Sequence, residues 1–286
     1  MSTATRVIVI GIAAITACVS YQVRGAATTE GPTLAAPKAA MSVYVVQDTV
    51  NDTSILQFAA TSNGNATPIS TLTLPAGGPS SVAMDSSGSI YVGAATDNSI
   101  SVYPAGSSGA NSPRRRILGS DRSFSYPYLM TVDSHNSLYV SDGAPCACVA
   151  VFANSTDEET SPQRMIKGDR TQINEPIAFA VDSSGYLYVA SLGLGPLQNE
   201  GQIEIFAPDA TGNVAPVRVI TGTKSAPLSP SGIAVDAKGN IYINQGMQIL
   251  EYPSGASGNA APVRTIVPPA ADVISSHLHV DGVGNV

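Results

Sequence analysis

Two fixed spacings recur along this chain, and together they restrict it to one kind of architecture. Asp85, Asp133, Asp182, Asp236 and Asp281 each close an apolar run, in SVAMD, LMTVD, AFAVD, GIAVD and HLHVD, at separations of 48, 49, 54 and 45 residues. Six positions before the first four stand Pro79, Pro127, Pro176 and Pro230, with Ser275 in the last copy, and six positions after them come Tyr91, Tyr139, Tyr188 and Tyr242. Independently, Phe58, Tyr103, Phe152, Phe206 and Tyr252 are each followed ten residues later by a proline, at 68, 113, 162, 216 and 262. Internal periodicity of this length marks a protein built from repeated supersecondary units.

Each unit reads as four short strands: A (GIAVD), B (NIYIN), C (QILEYP) and D (APVRTI), joined by turns rich in Gly, Asn and Ser. A four-stranded twisted sheet has two faces to cover, and radial stacking on its neighbours covers both, so the expected fold is an all-β propeller with four-stranded blades. The 26 Gly and 20 Pro exclude a helical solenoid. After residue 40 the chain starts with strands that match B, C and D (MSVYVV, SILQF, PISTL) and lacks an A; its last twelve residues, SSHLHVDGVGNV, supply an A. This predicts five blades with the ring closed by N- and C-terminal strands, which would leave no sheet edge open. A truncated ring of six or more blades is the alternative.

The recurring D-x-x-G-x-I/L-Y and P-x-R elements resemble NHL-type propeller repeats over residues 41–286. The resemblance implies a propeller but not one activity, because proteins with such repeats include binding scaffolds, lyases and lactonases. Five blades instead of the six usual for NHL rings is a departure. The metal-binding and zinc-binding sets of the propeller enzymes do not map onto this chain residue by residue.

The segment before the repeats differs in kind. MSTATR carries one positive charge, VIVIGIAAITA is an apolar run of eleven, and Ile15-Thr16-Ala17-Cys18 resembles a lipobox. Residues 1–17 are expected to be an export signal and Cys18 a lipidation site; ordinary secretory cleavage after Ala17 is the other option. More than one acyl chain on Cys18 would anchor the protein stably. Residues 18–40 then form a flexible tether, and 41–286 the propeller. The expected location is the bacterial cell envelope, extracytoplasmic, lipid-anchored or secreted. With 14 Lys+Arg against 21 Asp+Glu, the chain carries no electrostatic footprint for nucleic acid.

Five equivalent Asp residues cannot all be catalytic, and an Asp just before SSGS or AKGN suits a turn in which its carboxylate accepts backbone N–H groups. Arg115, Arg164, Arg218 and Arg264, each placed two positions after the recurring proline, read as charges that guard the outermost strand against edge pairing. Recognition is expected where blades differ: the distance from the B-strand Tyr to the C-strand aromatic is 14, 12, 13, 18 and 10 residues. The B-to-C loops supply Asp48, Asp52, Asp97, Asn98, Asp142, Asn199, Glu200, Asn244 and Gln245 as candidate ligand-binding residues, against the alternative of ordinary solvated loop tips.

Cys146 and Cys148 are a candidate disulfide, but i and i+2 on a regular strand are too far apart, so a bulge or turn is required. His277 and His279 alternate on the closing inner strand where other blades carry small residues, as metal ligands or as packing for the seam. His135 belongs to a turn. No nucleophile elbow, phosphate loop or H-E-x-x-H occurs. The reading is a monomeric, non-catalytic binding module for a protein or glycan, touching the membrane only through a lipid anchor, with no catalytic residues and no cofactor beyond an optional divalent cation. The alternative is a metal-dependent lactonase- or lyase-like propeller enzyme.

Overall fold

The computed structural model describes residues 6–12, 42–48, 53–59, 61–63, 65–75, 79–94, 98–118, 127–142, 146–154, 161–192, 201–223, 226–267 and 278. Five four-stranded antiparallel sheets follow one another along the chain. Blade one holds β1 (Arg6–Ile12), β2 (Ser42–Asp48), β3 (Thr53–Ala59) and β4 (Ser70–Thr73); blade two holds β5 (Ser81–Met84), β6 (Ile90–Ala94), β7 (Ser99–Tyr103) and β8 (Arg115–Leu118). Blade three holds β9 (Pro127–Val132), β10 (Leu138–Asp142), β11 (Cys148–Phe152) and β12 (Arg164–Ile166), and blade four β13 (Pro176–Val181), β14 (Leu187–Ser191), β15 (Gln202–Phe206) and β16 (Arg218–Ile220). A two-stranded excursion, β17 (Gly222–Thr223) with β18 (Ala226–Pro227), precedes blade five, which holds β19 (Gly232–Val235), β20 (Ile241–Gln245), β21 (Gln248–Tyr252) and β22 (Arg264–Ile266). The inner strands adjoin in the order β1, β5, β9, β13, β19, so the sheets stack round an axis as a five-bladed propeller.

Packing explains the sequence pattern. Strands β10, β11 and β14 are buried at all five positions, because a B or C strand has a neighbouring blade on each face and no solvent side. They therefore read as nearly continuous apolar runs and not as alternations. Four core clusters lie between successive blades, built on the B-strand tyrosines and the C-strand aromatics; Tyr91, Tyr103, Tyr139, Phe152, Phe206 and Tyr252 are fully buried. Each such ring contributes roughly 1.5–3 kcal/mol by burial, more than a net hydrogen bond.

The outer edges of blades one, three and four are also closed. Thr73 N–H donates to Gly109 O and Gly109 N–H returns to Thr71 O, so the D strand of blade one grips the C-to-D turn of blade two. The same exchange joins Met165 and Lys167 to Gly212, and Val219 and Thr221 to Gly258. Edge pairing is thus satisfied by the next blade along.

The structure differs from expectation at the seam. In blade one the strand hydrogen-bonded to β2 on the inner side is β1, paired from Arg6↔Asp48 to Ile12↔Ser42, a segment expected to belong to the export signal. A seven-residue run of mainly β-branched residues matches the full length of β2, which the shorter HLHVD run would leave partly unpaired. Of the C-terminal segment only Leu278 is described, and it packs with Ile249 against Ala234 and Tyr242 of blade five. That is the relation Met130 has to Ala83 and Tyr91, and Ile233 to Ala178 and Tyr188, one inner strand lying against the blade before it. Cys18, the tether, His277 and His279 lie outside the described residues.

Candidate functional site

The repeated polar residues form one network in each of blades two to five. Asp85 Oδ1 accepts from the N–H groups of Ser87 and Ser89 at 3.0 and 2.8 Å, and Oδ2 accepts from Tyr91 OH at 3.2 Å. Asp133, Asp182 and Asp236 repeat this with their own turn N–H groups and with Tyr139, Tyr188 and Tyr242. Burial works against ionisation of Asp85 and Asp236, but the hydrogen bonds outweigh it and hold both carboxyls below the usual range. Burial and the neighbouring Asp182 push the Tyr188 hydroxyl up to about 12, so it stays a donor. The turn also needs a left-handed residue: Gly88, Gly185 and Gly239 have φ of 87, 83 and 81°, and Asn136 fills the same place in blade three at 63°.

The arginines are not edge guards. Arg164 Nη1 donates to Ala210 O in the next blade at 3.0 Å and its Nη2 to Tyr139 OH at 3.2 Å, while Arg218 Nη1 reaches Ala256 O at 2.9 Å. Arg115 is 2% exposed. Folding the guanidinium inward lets it extend the Asp–Tyr pair into a fastener between blades, which outward projection would forgo; only Arg264, paired with Glu251, stays largely exposed. An open cleft of about 250 Å³ lies among these turns, lined by Asp182, Tyr186, Arg218, Asp236 and Lys238. It is smaller than pockets that enclose a drug-sized ligand.

The opposite face carries the B-to-C connections. Asn98 is exposed there in a left-handed conformation, and Gln245 is half-buried, its Oε1 accepting from Ser229 N–H at 3.0 Å. Asp142 and Asn244, expected at loop tips, are instead 1% and 6% exposed. Strand pairing runs on through them, Asp142↔Cys148 and Asn244↔Ile249, because the blade-five connection is only Gly246–Met247 and the blade-three strands continue to the mouth of the loop. Asp48 ends β2, with its side chain undescribed; Asp52, Asp97, Asn199 and Glu200 lie outside the described residues. His135 is an exposed turn residue.

A buried polar group that the repeat reading missed sits just beneath this face in blade four. Glu204, on β15, is 0% exposed, where the corresponding positions hold Leu56, Ser101, Ala150 and Leu250. Its Oε1 accepts from Gln202 Nε2 at 2.7 Å and its Oε2 lies 3.0 Å from Ser191 Oγ. Gln202 Nε2 also donates to Gln172 O, and Asn174 Nδ2 to Leu192 O, which gives a small amide-rich patch. Burial pushes Glu204 up to about 8, opposed by the hydrogen bonds from Gln202 and Ser191. A single carboxyl in a column of small and apolar residues was the available signal.

No known protein-family profile matches the chain, and no curated protein matches its sequence. Among solved structures it is similar to the WD40 β-propeller domain of Doa1. That likeness has 12% identity and a TM-score of 0.49, and covers 82% of this chain and 81% of the other. The propeller fold rests on the five sheets themselves.

The second non-repeating feature of this face is the blade-three loop. Cys146 and Cys148 are joined by a disulfide with a Cα–Cα distance of 5.2 Å, and the turn it needs is supplied by Ala147 at φ 45°. Asp142 completes a group whose two sulfurs and carboxylate oxygen lie within 4.8 Å of one another. With both sulfurs bonded to each other, neither is available as a thiolate for a metal. As a staple the bond is weak: closing a loop of three residues stabilises by about 1.6 kcal/mol in the chain-entropy relation. A non-glycine residue held left-handed costs of order 1–3 kcal/mol.

Proposed function

We propose that this chain is an exported, lipid-anchored, NHL-type propeller that binds a protein or glycan through its B-to-C face and performs no chemistry on that ligand. One observation carries the reading: the residues that repeat are consumed in fasteners, and the residues that vary gather on one face of a rigid ring. The Asp, Tyr and Arg of blades two to five bond to one another and to backbone, leaving few groups for a ligand. The opposite face has loops of unequal length, with Asn98, Gln172, Gln202 and Gln245 at or near the surface. Amide groups offer donors and acceptors together, which suits peptide backbone and sugar hydroxyls alike. A preorganised scaffold lowers the ordering cost of such contacts. Cleavage before Cys18 would remove β1 from blade one and open its inner position to the C-terminal segment, while lipid on Cys18 and a tether to residue 40 would hold the B-to-C face clear of a membrane surface.

The test is crosslinking of the intact protein in envelope fractions, beside glycan-array binding of the soluble ring. Asn98→Lys and Gln245→Lys are expected to abolish the signal, whereas Lys238→Glu on the other face leaves it intact. Equal sensitivity of both faces would overturn the assignment. A crosslinked protein and a bound glycan distinguish the two ligand classes, and an acylated peptide beginning at Cys18 reports the anchor.

A further inference from the structure

We propose that the Cys146–Cys148 disulfide is a thiol–disulfide exchange site for a dithiol substrate. In it Cys146 is the sulfur attacked, and Asp142 passes a proton to and from Cys148. Three observations converge. The disulfide spans a single residue and closes a loop already held by β10 and β11, so it adds little as a crosslink. The two sulfurs are unequal: Cys146 sits in a turn and is half-exposed, whereas Cys148 starts β11 and is fully buried. Asp142 is the cross-strand partner of Cys148, at the end of β10, which sets its carboxyl group beside that sulfur on one face of the hairpin. A buried carboxyl beside a buried sulfur, under an accessible one, is an arrangement that directs attack and handles the departing charge.

A substrate thiolate attacks Cys146 Sγ. The Cys146–Cys148 bond breaks, a mixed disulfide forms on Cys146, and the electron pair leaves on Cys148 Sγ, which takes up a proton by way of Asp142. The second thiol of the substrate, losing its proton, then attacks its own sulfur in the mixed disulfide and releases Cys146, which is protonated in turn. The net change is a dithiol oxidised to a disulfide and this pair reduced to two thiols; the reverse sequence reduces a substrate disulfide. Ala147, held left-handed by the closed ring, is free to relax when the ring opens.

The experiment uses the folded chain with dithiothreitol and, separately, with oxidised glutathione. Dithiothreitol is expected to reduce the pair without loss of circular dichroism; a disulfide that opens only in denaturant overturns the proposal. With oxidised glutathione, Cys148→Ala should form a mixed disulfide about tenfold or more faster than Cys146→Ala, since exposure governs access. Equal rates overturn the assignment of Cys146. If either variant fails to fold, brief alkylation of the reduced wild type should modify Cys146 first, and prior modification of Cys148 refutes the order. Asp142→Asn should change the pH profile of exchange while leaving glutathione capture by Cys148→Ala unaltered. An unchanged profile removes Asp142 from the proton path.

Discussion

Replacing Glu204 by Gln should stabilise the protein in a pH-dependent way. The carboxyl has a pKa of about 8 in the fold against 4.5 for the free group, because burial penalises the charged form. Below 4.5 both folded and unfolded chains hold the proton, and the group makes no difference. From there to about 8 the unfolded chain releases a proton that the fold retains, so stability falls as pH rises, by about 1.4 kcal/mol per unit. At pH 7 the accumulated loss is about 3 kcal/mol, and above 8 it levels near 5 kcal/mol, because both states are then ionised. Gln mimics the protonated acid: its Oε1 accepts from Gln202 and its Nε2 donates to Ser191 Oγ. Glu204→Gln is therefore expected to gain about 3 kcal/mol at pH 7 and close to nothing at pH 4.5, a rise in Tm of roughly 6–12 °C at the higher pH for a ring of this size. With no Trp in the chain, urea unfolding followed by circular dichroism at several pH values is the assay. A variant equally stable to wild type at pH 7, or destabilised by the same amount at every pH, would refute the reasoning.

Removing Asp85 strands the buried N–H of Ser89 and takes the acceptor from the buried Tyr91 hydroxyl, so Asp85→Ala should cost about 2–4 kcal/mol in urea unfolding. Asp236→Ala, in a more open turn where water reaches the freed groups, should cost about 1 kcal/mol. Gly201 has no room for a side chain: an added Cβ would lie 2.6 Å from Pro230 Cδ and 2.9 Å from Ser191 O. Gly201→Ala is expected to lower stability by about 1–3 kcal/mol and, because Ser191 bonds Glu204, to alter the pH dependence described above.

Repetition made the architecture legible. Two spacings gave the strand order of each blade and favoured five blades while leaving six open, and the Asp before each turn was recognisable because a turn with free N–H groups needs an acceptor there. The Arg role was not, since a charge on an outer strand reads the same whether it points outward or folds back onto Tyr139 and Ala210. Asp142 and Asn244 were misplaced because loop length in sequence does not say where strand pairing stops. Glu204 was hidden by comparison within a repeat, which directs attention to what recurs. At the seam, two apolar segments compete for one inner position, and local pattern alone does not decide between RVIVIGI and HLHVD.

Calorimetry of the full chain beside a form ending at Val267 tests closure of the five-bladed ring most directly. If Leu278 and its neighbours seal blade five as inner strands seal the others, the shortened form should melt several degrees lower and over a broader range. Identical transitions for the two proteins would contradict the closed ring and the recognition face built on it.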